Sequence, residues 1–200
     1  MSRMDVEVNM GKGLTYEKSG EGATNSWITP EWIFDIFNEY KGDKSEYFDL
    51  DPCACIPQPW KTASKQYTEV ENGLVQKWDG NVWCNPPYGP HAKHWVKRLY
   101  EHGNGIALIF ARIETKLWQD YIFPTADMYL FPRGRIGFAL PTGIYPNDTS
   151  KGTAPSAFIA WGEENARVLR DICLTEKMKG FCFGPADGVM VVHRQIKFSM

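Results

Sequence analysis

The sequence has no long apolar run, no large excess of either charge and no regular cysteine pattern. Its longest uninterrupted apolar stretch, residues 106–111, is far shorter than the roughly 20 residues that a membrane-spanning helix needs. Residues 1–13 carry charges and glycines where a signal peptide would have an apolar segment, and the number of cysteines, five, is odd. We therefore expect a soluble intracellular protein without a membrane partner, stabilised by its core rather than by disulfides.

Internal repeats and low-complexity segments are also absent from the sequence. Hydrophobic residues make up 43% of the 200 residues and charged residues 23%, which is enough apolar material for a folded core. The length fits a single domain. Because the first 26 residues are polar and punctuated by glycine, we expect a flexible N-terminal arm over residues 1–26 and one folded domain over residues 27–200.

The net charge of −2 conceals two segments of opposite sign. Residues 31–79 contain ten acidic and five basic side chains, whereas residues 89–136 contain seven basic and four acidic ones. The acidic segment would tolerate a cationic ligand and the basic segment an anionic one. The alternative is that both are ordinary solvated surfaces, and charge alone does not decide between the two interpretations.

Apolar residues recur with the spacing of helices and of strands in turn. Thr29 is expected to cap the first helix, with Pro30 at its first helical position and Glu31 in its first turn, and Gly42 is expected to end it. Strands are predicted over residues 47–51, 81–84, 105–111, 128–131, 157–161 and 189–192, and further helical segments over residues 92–99, 115–122 and 163–173. This alternation is typical of an α/β sheet.

The strongest functional signal is the tetrapeptide Asn85-Pro86-Pro87-Tyr88, which follows a predicted strand at the kind of position where α/β sheets bind ligands. Asn85 offers a side-chain carbonyl and Pro86 a main-chain carbonyl, the two rings restrict the backbone, and Tyr88 adds a flat apolar face. Two acceptors beside a stacking plane suit a planar aromatic amine. When both amine hydrogens are accepted from one side, the nitrogen lone pair becomes available for attack on an electrophile, and neither a metal nor a strong base is required. The alternative for an isolated Pro-Pro pair is a plain turn.

Four further motifs accompany the tetrapeptide. In chain order the sequence contains Trp27-x-Thr29-Pro30, Phe48-Asp49-Leu50-Asp51-Pro52, Gly73-Leu74-x-x-x-Trp78, Trp83-Cys84-Asn85-Pro86-Pro87-Tyr88-Gly89 and Gly134-Arg135-Ile136-x-Phe138. Over roughly residues 24–162, this series resembles the phage-type Dam family of DNA N6-adenine methyltransferases. The resemblance implies a single-domain, Rossmann-like sheet with helices on both faces, S-adenosylmethionine as cofactor and double-stranded DNA as partner.

The resemblance also implies roles for individual residues. Asn85 and Pro86 would hold the adenine amino group, with Pro87 completing the catalytic turn, and Tyr88 would stack on a base flipped out of the duplex. The N-terminus of the first helix would contact the carboxylate of the cofactor. The implied cofactor-binding residues are Trp27, Thr29, Pro30, Asp49, Asp51, Pro52 and Asn85.

Several of these residues also have a structural interpretation. We expect only one of Asp49 and Asp51 to face a ligand, and we favour Asp51 because it stands at the end of the strand. Either carboxylate could instead cap a turn or a helix. Thr29 and Pro30 could mark no more than a helix start, and Trp27 could belong to the core. Cys53-Ala54-Cys55 stands where many methyltransferases carry a glycine-rich turn.

The cysteines together with His91-x-x-His94 could suggest a zinc site. However, Cys53-x-Cys55 lacks the usual gap of two to four residues, and the sequence has no second pair at ligand spacing. We therefore expect no bound metal and interpret the cysteines as small buried residues.

Basic residues that follow predicted strands are candidate DNA ligands, namely Arg112, Arg133 and Arg135. Residues 139–154 are rich in Gly, Pro, Thr, Asn and Ser, and we expect them to form a DNA-recognition loop that carries Asn147 and Lys151. The alternatives are solvated surface arginines and a mobile connection that does not contact DNA.

These observations together predict a site-specific methyltransferase that transfers a methyl group from S-adenosylmethionine to N6 of a flipped-out adenine in DNA. Its expected location is the cytoplasm of a bacterial or phage-infected cell. Two alternatives remain at this point. The motif could act on a protein glutamine or an RNA base, or the chain could be a non-catalytic nucleic-acid-binding relative. The sequence carries no signal for a particular oligomeric state.

Overall fold

The computed structural model describes residues 28–87, 89, 91–140, 142–145, 154–184 and 190–191. This part of the chain contains three α-helices, α1 (Glu31–Asn38), α2 (Ala92–His102) and α3 (Glu163–Leu174), and a π-helix over Leu117–Ile122. Its strands are β1 (Leu50–Asp51), β2 (Lys65–Gln66), β3 (Val82–Cys84), β4 (Gly105–Phe110), β5 (Met128–Pro132), β6 (Ser156–Trp161), β7 (Gly180–Phe183) and β8 (Met190–Val191).

The strands form one mixed sheet in the order β2-β1-β3-β4-β6-β5-β7-β8. Strands β2, β1, β3 and β4 run parallel to one another, whereas β6 runs antiparallel between β4 and β5. Strand β5 therefore points in the same direction as β4. As a result, the carboxyl ends of β1, β3, β4 and β5 lie along one edge of the sheet. We call this edge, which is marked by Asp51, Cys84, Phe110 and Pro132, the carboxyl edge.

The core consists of two layers because side chains alternate between the faces of the sheet. Helices α1 and α3 cover one face, where the buried residues include Phe37, Trp83, Phe158 and Leu169. Helix α2 and the π-helix cover the other face, where they include Trp95, Leu99, Ala107 and Trp118. The predicted α/β sheet with helices on both faces is confirmed.

Some element boundaries differ from the predictions. The strand predicted over residues 47–51 is confined to Leu50–Asp51, because the N–H groups of Asp49 and Leu50 both turn to the carbonyl of Asn81, at 2.7 and 3.2 Å, before the ladder with β3 begins. Strands β2 and β7 were not predicted. Among the described residues, no helix combines the length and the apolar character that crossing a membrane requires.

Candidate active site

Asn85, Pro86 and Pro87 form the turn that leaves the carboxyl end of β3. The strand is anchored by Trp83, whose ring centroid lies 5.1 Å from that of Phe34 in α1. Asn85 is half-buried, Pro86 is buried and Pro87 is exposed. The tetrapeptide thus follows a strand at the carboxyl edge, as predicted, while its last residue, Tyr88, lies outside the described residues.

The side chain of Asn85 is joined to the segment that precedes α1. Asn85 Nδ2 donates a hydrogen bond of 3.0 Å to Thr29 Oγ1. Thr29 is 3% exposed, and its carbonyl oxygen accepts a hydrogen bond of 3.0 Å from the indole of Trp60. The structure therefore brings together a predicted catalytic residue and a predicted cofactor residue that are far apart in the sequence. Trp27, predicted beside Thr29, lies outside the described residues.

Helix α1 begins one residue later than predicted. Its first helical residue is Glu31, and Pro30, not Thr29, is the N-cap, with a non-helical ψ of 141°. The prediction that Thr29 caps the helix is wrong because the Thr29 hydroxyl bonds Asn85 instead. The first N–H groups of a helix lack partners within the helix, so this end of α1 can bind an anionic group.

Asp51 is buried at the end of β1, and both of its carboxylate oxygens accept hydrogen bonds. Oδ1 accepts from the main-chain N–H of Cys53 at 3.0 Å, and Oδ2 accepts from the hydroxyl of Thr62 at 2.5 Å. Burial raises the pKa of Asp51 to about 6, although these hydrogen bonds lower it. The bond to Cys53 closes a tight turn around Pro52, so the turn-capping alternative accounts for at least one oxygen of this carboxylate.

The turn around Pro52 is braced by the segment between residues 73 and 78. Gly73 lies so close to the backbone of Pro52 that it has no room for a Cβ atom. The indole of Trp78 donates a hydrogen bond of 2.8 Å to the Gly73 carbonyl. The motif Gly73-Leu74-x-x-x-Trp78 therefore has a structural role next to the predicted cofactor site.

Asp49 lies at the opposite end of β1 from Pro52. Its Oδ2 atom accepts a hydrogen bond of 2.7 Å from the main-chain N–H of Asn81, which precedes β3, and pairs with the ammonium group of Lys44 at 2.9 Å. The sequence grouped Asp49 with Asp51, but the structure separates them, because Asp49 belongs to the start of the β1–β3 ladder and not to the carboxyl edge.

Arg112, Arg133 and Arg135 are exposed. Arg112 follows β4 and Arg133 follows β5, so both stand at the carboxyl edge, on strands about 10 Å apart because β6 lies between them. Their main chains are fixed, since the N–H of Arg112 donates to the carbonyl of Phe110 at 2.9 Å and that of Arg133 to the carbonyl of Lys179 at 2.7 Å. Arg112 and Arg133 thus place two cationic side chains at the edge that carries Asn85.

A family model described as DNA N-6-adenine-methyltransferase (Dam) matches residues 18–176. The chain belongs to the Dam family. The matched range contains the residues assembled above, from Thr29 to Arg135. Comparisons with curated proteins and with solved structures give no significant match.

In this Dam-family chain Cys53 and Cys84 lie next to the turn formed by Asn85, Pro86 and Pro87. Cys53 Sγ donates to the carbonyl oxygen of Asn85 at 3.3 Å and lies 3.9 Å from Cys84 Sγ. Burial raises the pKa of the Cys53 thiol and raises that of Cys55 to about 11, so both are held as thiols near neutral pH. Within the described ranges, no group of three or more His, Cys, Asp or Glu residues is placed to hold a metal ion.

The predicted recognition loop of the Dam-family chain begins with ordered contacts. Ala139 is buried and exchanges two main-chain hydrogen bonds of 2.9 Å with Ile28, so it belongs to a β-bridge and not to a loop. Tyr145 stacks on Trp60, with ring centroids 6.3 Å apart. Asn147 and Lys151 lie outside the described residues.

Two residues near the predicted site of this Dam-family chain were not identified from the sequence. Trp60 contacts Thr29 and Tyr145, and Thr62 contacts Asp51. Neither belongs to a motif, and both lie in a stretch without helical or strand periodicity. Only their tertiary contacts connect them to the site.

Proposed function

We propose that this Dam-family protein transfers a methyl group from S-adenosylmethionine to N6 of adenine in double-stranded DNA, after the base has been flipped out of the helix. The observation that carries the proposal is the hydrogen bond between Asn85 and Thr29. It joins the acceptor proposed for the target amine to the N-terminus of α1, which is the proposed binding site for the carboxylate of the cofactor.

The catalytic turn supplies acceptors for the amine. The Asn85 side-chain carbonyl and the Pro86 main-chain carbonyl accept the two N6 hydrogens, which makes the nitrogen lone pair available for attack. Pro87 restricts the backbone of the turn, and Tyr88 stacks on the extruded base. S-adenosylmethionine supplies the electrophilic methyl group. In this proposal the protein contributes orientation and hydrogen-bond acceptors, not a strong base.

The cofactor site fits two segments at the carboxyl edge. Thr29 and Pro30 lead into the anion-binding end of α1, with Trp27 as their neighbour in the sequence, and Asn85 lies beside them. The turn from Asp51 through Pro52 occupies the adjacent strand end. Since its carboxylate already holds Cys53 and Thr62, we assign Asp51 the shaping of this turn. Asp49 is left out of the proposed site because it lies at the other end of β1.

The DNA backbone is the proposed partner of Arg112, Arg133 and Arg135. All three are exposed, Arg112 and Arg133 stand at the edge that presents Asn85, and guanidinium groups bind phosphate through paired hydrogen bonds. Asn147 and Lys151 are proposed to contact DNA from the segment that follows Tyr145. A protein of this kind acts where unmethylated DNA is found, in the cytoplasm of a bacterial or phage-infected cell.

Product analysis tests the proposal directly. The purified protein is incubated with S-adenosylmethionine and, in separate reactions, unmethylated duplex DNA, RNA of the same sequence and a glutamine-containing protein extract. Nucleosides and peptides are then analysed by mass spectrometry. We expect N6-methyladenine as the modified nucleoside, and only in the DNA reaction. N4-methylcytosine in DNA, or methylation confined to RNA or protein, would contradict the proposed function.

A further inference from the structure

We propose that Cys53 is a positioning residue for the Pro86 carbonyl, the second proposed acceptor of the target amine. Its thiol holds the peptide group between Asn85 and Pro86, and the orientation of that peptide group sets the direction of the Pro86 carbonyl. The inference rests on the proposed function. It assigns to Cys53 a role in the methyl-transfer step itself, separate from any contact with the cofactor.

The thiol of Cys53 joins the turn after β1 to the turn after β3. Cys53 Sγ donates a hydrogen bond of 3.3 Å to the main-chain oxygen of Asn85, and the direction of this bond is certain because a carbonyl oxygen can only accept. The described register between β1 and β3 consists of Leu50 with Val82, and it ends before either turn begins. The thiol therefore provides a link between the two turns beyond the end of the strand pairing.

The sulfur atom of Cys53 is held in place by its surroundings. The main-chain N–H of Cys53 donates to Asp51 Oδ1 at 3.0 Å, and Asp51 Oδ2 accepts from the hydroxyl of Thr62. The sulfur lies 3.9 Å from Sγ of Cys84, which is fully buried. Burial raises the pKa of the Cys53 thiol, so the thiol keeps the proton that it donates at neutral pH. Both the position and the protonation state thus suit a fixed donor.

The two prolines of the turn convert a fixed peptide group into a fixed acceptor. The Asn85 carbonyl belongs to the planar peptide group that ends at the nitrogen of Pro86. The ring of Pro86 locks its own φ, and the following Pro87 restricts the ψ of Pro86 to extended values. With both angles restricted, the direction of the Pro86 carbonyl follows from the orientation of the preceding peptide group. Releasing the Asn85 carbonyl would let this unit tilt and would misdirect the acceptor.

Two substitutions separate the donor from the sulfur atom. Cys53→Ala removes the donor, whereas Cys53→Ser replaces the sulfur and keeps a donor. The rate constant of methyl transfer is measured in single turnovers, with protein in excess over DNA and at saturating S-adenosylmethionine. We expect it to fall about 2-fold to 5-fold in Cys53→Ala, as for the loss of one weak hydrogen bond. In Cys53→Ser it should stay closer to the wild-type value than to that of Cys53→Ala.

This design distinguishes positioning from two other roles of Cys53. A role in packing alone would affect Cys53→Ser as much as Cys53→Ala, because both variants lose the sulfur. A role in cofactor binding alone would raise KM for S-adenosylmethionine and leave the rate constant at saturation unchanged. Cys173→Ala is the matched control, because the Cys173 thiol also donates to a main-chain carbonyl, that of Gly180 at 3.7 Å. Gly180 lies in β7, which three strands separate from β3, so this control should keep the wild-type rate constant.

The S–H stretching band of Cys53 gives a readout that does not depend on turnover. The infrared difference between the wild type and Cys53→Ala isolates this band. We expect its frequency to lie below that of a simple thiol in an apolar solvent, because a hydrogen bond weakens the S–H stretch. The band should remain there in Asn85→Ala, since that variant keeps the main-chain carbonyl of residue 85.

A wild-type rate constant in Cys53→Ala, or an equal loss in Cys53→Ser and Cys53→Ala, would overturn the inference while the proposed function stands. A wild-type protein that methylates no adenine in DNA would overturn the proposed function. The link between the two turns is then judged on the S–H band alone, and a band at the frequency of a free thiol would overturn it.

Discussion

Gly73 lies directly against the carbonyl group of Pro52, and a Cβ atom at position 73 would overlap the Pro52 oxygen. The contact joins the loop after β2 to the turn after β1, and the Trp78 indole holds it in place through the Gly73 carbonyl. The shape of the Pro52 turn, and with it the proposed cofactor site, therefore depends on a residue that is not itself assigned to that site.

This contact predicts that Gly73→Ala will be damaging. The new methyl group meets main-chain atoms of Pro52, which cannot move aside as a flexible side chain can, so we expect a loss of about 1–3 kcal/mol of unfolding free energy and weaker binding of S-adenosylmethionine. Urea denaturation and isothermal titration calorimetry measure the two effects. Gly137→Ala is the control, because a Cβ at position 137 would meet nothing within 4 Å. Equal stability of the two variants would refute the proposed bracing.

Asp51 predicts a pH dependence of stability. Its carboxyl group titrates near the ordinary value of 3.8 when unfolded and near 6 in the folded protein, because burial disfavours the charged form. Between these values the folded state binds more protons than the unfolded state. The free energy of unfolding that Asp51 contributes therefore falls as the pH rises through this window, by about 3 kcal/mol in total.

Asp51→Asn removes this titration. We expect the unfolding free energy of the variant minus that of the wild type to increase between pH 3 and pH 7, with most of the change between pH 4 and pH 6. Denaturant titrations of both proteins over this range measure the difference, which also cancels the other titrating groups. A difference that stays constant, or that decreases with pH, would show that the folded carboxyl does not titrate near 6.

Asn85→Ala is expected to separate chemistry from cofactor binding. The substitution removes an acceptor from the amine and leaves the turn around Pro52 in place, so kcat should fall about 100-fold to 1,000-fold. The affinity for S-adenosylmethionine, measured by calorimetry, should change little. If the variant turns over at the wild-type rate, Asn85 is not the acceptor of the amine.

The arginines at the carboxyl edge predict a change in salt dependence. If Arg133 and Arg135 each contact one phosphate, Arg133→Ala and Arg135→Ala should each weaken DNA binding to a similar degree on all sequences. Each should also make the slope of log K against log salt less steep by about one. Arg167→Ala is the matched control, because Arg167 is an exposed arginine at the start of α3, paired with Glu164 and remote from the carboxyl edge. Unchanged slopes for both edge variants would place the phosphate contacts elsewhere.

The elements with clear periodicity were predictable from the sequence. Helix α2 has apolar residues at helical spacing, and β4 is a continuous apolar run, so both were found close to their observed bounds. Strand β2 could not be found in this way, because it consists of Lys65 and Gln66 and pairs only through its main chain with Leu50 and Asp51. A strand of two polar residues has no hydrophobic pattern to recognise.

The sequence provided the candidate site residues as predictions, and the structure shows how the described ones among them are arranged. The preference for Asp51 over Asp49 followed from its position at the end of the predicted strand, and the two carboxylates do lie at different ends of β1. The hydrogen bond between Thr29 and Asn85 could not be predicted from a local pattern, because the two residues lie 56 positions apart in the sequence. The local pattern at Thr29 indicated a helix cap, and the tertiary contact prevailed over it.

The antiparallel insertion of β6 has a consequence for how this chain is made. Strand β4 pairs with β6 along its full length, from Gly105 with Trp161 to Phe110 with Ser156. A ribosome produces β4 well before β6, so the nascent chain has an unpaired apolar edge at the centre of its future sheet. Such an edge is a template for association with other chains. The turn after β3 is thus synthesised beside an apolar strand edge that stays unpaired until β6 follows, and release from the ribosome before residue 161 should yield insoluble chains.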